Sequence, residues 1–189
     1  MARAKASSGN VREADFIAFF NALWYQDFPV LPDDSIGRAN WTIHIGVCVR
    51  RCADLLGWRA LFEEGKRTDA VIKDADGAVR IAMEWEWIQA FRESVNEIEK
   101  LRDGAHDLSA FFTYSREDHH EKNMERIQAL WTTEKPLVLF VITFTNPKSR
   151  HFHKLQTYRV VSGRATLVRQ QPALPWEVQG SRWAALAAR

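Results

Sequence analysis

Within the stretch RTDAVIKDADGAVRIAMEWEW, which runs from Arg67 to Trp87, three acidic residues stand at a spacing that suits cation chemistry: Asp69, Glu84 and Glu86. Residues 68–73 and 79–87 alternate in period two and read as strands, with DADG (Asp74 to Gly77) as the turn between them. Side chains two apart on a strand share a face. Asp69 therefore goes with Val71, and Arg80 and Ala82 go with Glu84 and Glu86. A two-residue turn at Asp76-Gly77 sets Asp69 directly opposite Glu84. A four-residue loop leaves the two diagonal, and a three-residue loop separates them. In the first register the two Cβ atoms come within roughly 5 Å, a destabilising like-charge pair unless something compensates. Glu86 adds a third carboxylate about 7 Å along the same face. The natural compensator is a hard divalent cation on oxygen ligands, and Mg²⁺ (or Mn²⁺) is the usual choice for phosphoryl chemistry.

This arrangement resembles the PD-(D/E)XK nuclease superfamily, whose members carry an Asp on one strand of a hairpin and an acid-x-Lys triplet on the next, flanked by helices. Asp69 matches the first acid, Glu84 the second and Trp85 the intervening residue, over a span from roughly Asn40 to Thr145. The resemblance implies a metal-dependent nuclease in which Asp69, Glu84 and the Trp85 carbonyl hold Mg²⁺. It departs from the pattern in that Glu86 occupies the Lys position and Thr68 the Pro position. Some restriction endonucleases resembling this pattern use Glu-x-Glu, so Glu86 is expected to orient or deprotonate the attacking water, or to hold a second metal. Lys100, on the following helix, is the candidate for a relocated Lys, although a helical wheel started at Ile88 turns it away from the inner face. Glu64, or its neighbour Glu63, could add a ligand. The bland alternative is a solvated sheet face whose acids pair with Arg67 or Arg80. Flanking tryptophans and a central place in the expected sheet disfavour it.

A second feature lies downstream. The net charge of +2 is unevenly placed, with the acids towards the centre and the bases towards the C-terminus. The segment NPKSRHFHKLQTYR interleaves Lys148, Arg150, Lys154 and Arg159 with Phe152 and Tyr158. Bases among aromatics suit a phosphate backbone with unpaired bases to stack, and a solvated hairpin is the equal alternative. The implied partner is nucleic acid, DNA first, with no membrane and with a homodimer compatible. A non-catalytic member of the same fold, binding nucleic acid or protein, is the rival expectation. No Walker motif, Rossmann fingerprint or nucleophile elbow competes with it. His119-His120 and His151-x-His153 lack a partner cluster for a metal. Cys48 and Cys52 read as buried thiols of a reduced, cytoplasmic protein.

The surrounding elements follow from periodicity. Asn10 with Glu13 reads as a capping box for a helix burying Phe16, Phe20, Leu23 and Trp24. Asn40 reads as the cap of a second helix, ended by Gly57. After the hairpin, a helix from Ile88 to Arg102 is expected, then a strand at 108–114. A helix capped by Ser115 and Asp118 follows, then the apolar strand LVLFVITF and a hairpin about Ser162-Gly163. An antiparallel meander passing into strand–helix–strand predicts an α/β fold: a mixed sheet with helices on both faces, restriction-endonuclease-like, in one domain with a core at about 40–145 and a basic hairpin and tail after it. The N-terminal ten residues carry no apolar h-region, and a cytoplasmic location is expected.

Overall fold

The computed structural model describes residues 13–30, 38–64, 68–145 and 151–184. Asn10, Arg67, Lys148 and Arg150 lie outside them. Helix α1 (Glu13–Leu23) buries Phe16, Phe20 and Leu23 on one face, as its apolar spacing requires. Helix α2 (Arg38–Leu56) places Asn40 inside its first turn, not at its cap. Its other end is as expected: Gly57 donates to the Asp54 carbonyl at 3.0 Å and Trp58 to that of Ala53 at 2.8 Å, a Schellman closure.

Strands β1 (Arg59–Glu64), β2 (Thr68–Lys73) and β3 (Val79–Glu86) form the antiparallel meander. Helix α3 (Asn96–Asp103) then crosses to β4 (Leu108–Arg116), and α4 (His120–Leu130) crosses to β5 (Leu137–Phe144). Strands β6 (Phe152–Val161) and β7 (Arg164–Pro172) close the sheet. The seven strands lie side by side in chain order. β3, β4 and β5 are mutually parallel, and the other neighbours are antiparallel. The C-terminal hairpin is thus part of the sheet, and the core extends beyond the expected 40–145. Trp24 donates its ring N–H to the Ala173 carbonyl at 2.8 Å, and Asn21 bonds Thr157 at 3.0 Å.

Both faces are covered. Ile72, Ile81, Met83, Phe112 and Phe140 pack beneath α1 and α2, while Val71, Ala82, Phe111, Leu139 and Val141 pack beneath α3 and α4. Every residue of β5 is buried, which accounts for its unbroken apolar run. Trp85 and Trp87 pack, partly buried, against the first of these cores. Cys48 and Cys52 are buried there too.

The expected helix from Ile88 is absent. Residues 88–95 form turns, and only Asn96–Asp103 is helical. The reason lies in competing hydrogen bonds. The Asn123 carboxamide accepts from the Phe91 amide at 3.1 Å, and the Gln89 side chain donates to the Tyr114 carbonyl at 3.2 Å. These contacts pin the segment to β4 and α4 in a non-helical path. Ser115, expected as a cap, is instead within β4, where its hydroxyl accepts from Asn123 at 2.7 Å.

Candidate functional site

The hairpin carrying the acids reaches its register by an unexpected route. Asp74 donates to the Ala78 carbonyl at 3.1 Å, so the connecting loop holds three residues, the length that should have separated the carboxylates. Asp74 also accepts the amides of Asp76 and Ala78, both at 3.0 Å, and Gly77 takes a φ of +82°, open to glycine without strain. Lys73 then pairs with Val79, but Ile72 pairs with Ile81. Arg80 is the extra residue of a β-bulge, which restores the odd-numbered step. Ala70 faces Met83, and the next pair along brings Asp69 beside Glu84. Arg80, placed by sequence on the acid face, is drawn instead to Asp74 at 2.6 Å and Asp107 at 2.9 Å.

The two carboxylates are joined through the backbone. The Trp85 amide donates to Asp69 Oδ2 at 2.8 Å, and the Asp69 amide donates to Glu84 Oε2 at 3.4 Å. The amide and carbonyl of a strand residue leave on the same edge, so the Trp85 carbonyl is also directed to the β2 side. Glu84 is only 2% exposed, in the layer beneath α3. Burial pushes its carboxyl up to about 7, the nearby Asp69 adds to this, and Lys100 works against it. Burial raises Asp69 as well, against the Trp85 amide and Glu84, with Glu63 adding to the rise. Glu86, half-buried one step further along, is raised by burial and by Glu97 and Asp69.

Lys100 joins this group, contrary to the helical wheel. Its Nζ stands 2.5 Å from Glu84 Oε1. With the helix beginning at Asn96, Ile98 and Leu101 face the sheet. Lys100 lies at the flank between them, and its long stem reaches over β3. The wheel failed because it was phased on residues that are not helical. Glu64 is placed differently: a positive φ of 54° at Glu63 turns the end of β1, and Glu64 ion-pairs with Lys73. Glu97 and Lys73 were missed by sequence reasoning, although Lys73 shares the Asp69/Val71 parity and could have been found from it.

The site sits at the carboxyl end of the parallel strands, where open α/β sheets hold ligands. Among the described residues, no three or more His, Cys, Asp or Glu side chains group as metal ligands. A buried and a half-buried carboxylate whose charged forms are disfavoured still suit a cation. Mg²⁺ is commonly held by one or two protein carboxylates, with waters and substrate phosphate completing its shell.

The basic segment divides. Arg159 is exposed and pairs with Glu13 of α1 at 2.7 Å. Lys154 has the parity of Tyr158, which bonds His120 of α4 at 3.0 Å, so Lys154 and Arg159 leave opposite faces of the sheet. Three histidines of the two motifs each pair with one acid, His119 with Asp118, His151 with Glu177 and His153 with Glu117, while His120 bonds Tyr158.

The chain matches no protein-family model, and no curated protein matches it. Among the described residues, no helix is long and apolar enough to cross a membrane.

Proposed function

We propose that this chain is a metal-dependent phosphodiesterase acting on nucleic acid, DNA first, with a site of the PD-(D/E)XK kind. The observation that supports it best is the convergence of Asp69, Glu84 and Lys100 from two strands and a helix. Asp69 and Glu84, with the Trp85 carbonyl, would hold Mg²⁺ or Mn²⁺. Such an ion lowers the pKa of a water and stabilises charge on the phosphate. Lys100 takes the role left open by Glu86 at the motif position and sets its ammonium beside the second acid. Glu86 orients the water or accepts its proton.

A cation should stabilise the native state, by about 2.7 kcal/mol at a hundredfold excess over Kd. For a chain of this size that is a rise of about 5–10 °C in melting temperature. Asp69→Asn should abolish the rise and leave the metal-free protein as stable or more so. An equal rise in both proteins would overturn the assignment of the site.

A second reading, a non-catalytic module of the same fold, is favoured by one observation. Lys100 already neutralises Glu84, so the acids have a compensator without metal. Cleavage of plasmid DNA in Mg²⁺ or Mn²⁺, lost in Asp69→Asn, separates the two. A metal response without cleavage would favour the module.

A further inference from the structure

A cavity of about 570 Å³ opens on the acid face between β2, β3 and α3. Its floor is Val71 and Ala82, and its walls include Thr68, Lys100, Leu101 and His106. Val71 is two residues from Asp69 and Ala82 two from Glu84, so the floor begins where the carboxylates end, roughly 7 Å along the strands. Lys100 borders both.

The chemistry of the lining restricts the occupant. The volume falls in the range of small-ligand sites, roughly 300–1,000 Å³. Each of its charged side chains has a partner: Glu64 pairs with Lys73 across the lining, while Lys100 pairs with Glu84 and Asp103 with Arg102 beside it. A lining neutralised in this way gives little reward to a free anion. It suits a flat, uncharged group with apolar faces and hydrogen-bonding edges. Aliphatic side chains pack against such faces, while the Thr68 hydroxyl offers a partner at the edge beside the His106 ring, whose Nε2 is bonded to Ser109 at 2.7 Å.

A nucleobase has these properties, and it is tethered to a phosphate at short reach. We infer that the cavity is a subsite for one unstacked nucleoside whose phosphate lies at Asp69 and Glu84. It follows that the substrate presents a single-stranded or flipped nucleotide, since a paired base inside a duplex cannot enter. This inference rests on the phosphodiesterase reading for the placement of the phosphate.

The test compares a single-stranded oligonucleotide with the same strand carrying one internal abasic site. Binding is followed by fluorescence anisotropy in Ca²⁺, chosen to hold the strand without cutting it. Burying a base that the abasic strand lacks should make the intact strand bind about tenfold tighter, the equivalent of about 1.4 kcal/mol. Ala82→Leu fills the floor, and Ala105→Trp fills the cavity from its exposed rim with little demand on folding. Both should bring the preference below about twofold and keep the Mn²⁺-induced rise in melting temperature. A wild type that binds both strands equally, or a preference that survives both substitutions, would overturn the subsite whatever the metal response. A base preference lost in both variants, without metal response or cleavage, would retain the cavity as a nucleotide site and reject the nuclease reading.

Discussion

Glu84 and Lys100 form a half-hidden ion pair in which the acid is far more buried than the base. Removing one member of such a pair leaves the other in a place that disfavours its charge. Lys100→Met should therefore lower stability by about 1–3 kcal/mol, and the double variant Lys100→Met/Glu84→Gln should recover much of the loss. Urea unfolding of the four proteins gives the coupling. A value indistinguishable from zero would mean that the two side chains do not act together. Glu86 stands apart from this pair, and burial together with its acidic neighbours raises its carboxyl. Glu86→Lys should fold and keep some plasmid cleavage, whereas Glu86→Ala should lose most of it. Full activity in Glu86→Ala would remove this residue from the chemistry.

At the scale of elements, the β2–β3 hairpin decides whether a site exists, because one residue more or less reverses every side chain. Gly77→Ala forces an L-residue into the left-handed region and should cost about 1–2 kcal/mol in urea unfolding. No loss would indicate a different turn. This hairpin also shows what sequence could supply. Period-two alternation located β2 at its observed ends, and the parity of Asp69 and Glu84 held. The three-residue loop and the Arg80 bulge were not legible, because each alone breaks the register and only the two together keep it. Helix α3 illustrates the opposite case. Its apolar spacing ran back to Ile88, but the bonds that unwind residues 88–95 come from Asn123 and Gln89, one of them far along the chain. Side chains that compete for backbone groups across tertiary space leave no periodic signal. The turn at Ser162-Gly163 was legible because it is local: both residues have positive φ, 48° and 75°, as a two-residue hairpin demands.

For the molecule as a whole, acid stability should depend on His44. It is 2% exposed, bonds the Trp24 carbonyl at 2.9 Å and packs against Trp24 and Phe28. Burial pushes its pKa down to about 4, against the pull of Trp24 and Asp27. The native state thus resists a proton that the unfolded chain accepts near pH 6.5, and stability falls as pH drops from about 6.5 towards 4. The loss from this residue is roughly 3 kcal/mol. His106, also lowered to about 4 by burial and Lys135, acts in the same window. Glu84 acts in the opposite sense, because its raised carboxyl makes the fold less stable as pH climbs from 4.5 towards 7. The difference between wild type and His44→Gln therefore carries the test. Unfolding free energies at several pH values should show a shallower acid limb in the variant. Parallel curves would show that His44 does not titrate with folding.

The sheet's order has a consequence for how the chain assembles. Each strand lies beside the one synthesised just before it, so pairing can proceed from β1 to β7 while the chain is still emerging, with short loops to close at every hairpin. Helix α1 is made before the sheet, but Asn21 within it and Trp24 just after it are anchored at Thr157 and Ala173, near the last strands. Its apolar stripe packs on Phe112 and Phe140, so it must wait for β4 and β5 to be made before that surface can cover it. That interval, rather than any step in building the sheet, is where a nascent chain would be most exposed to aggregation or to a chaperone.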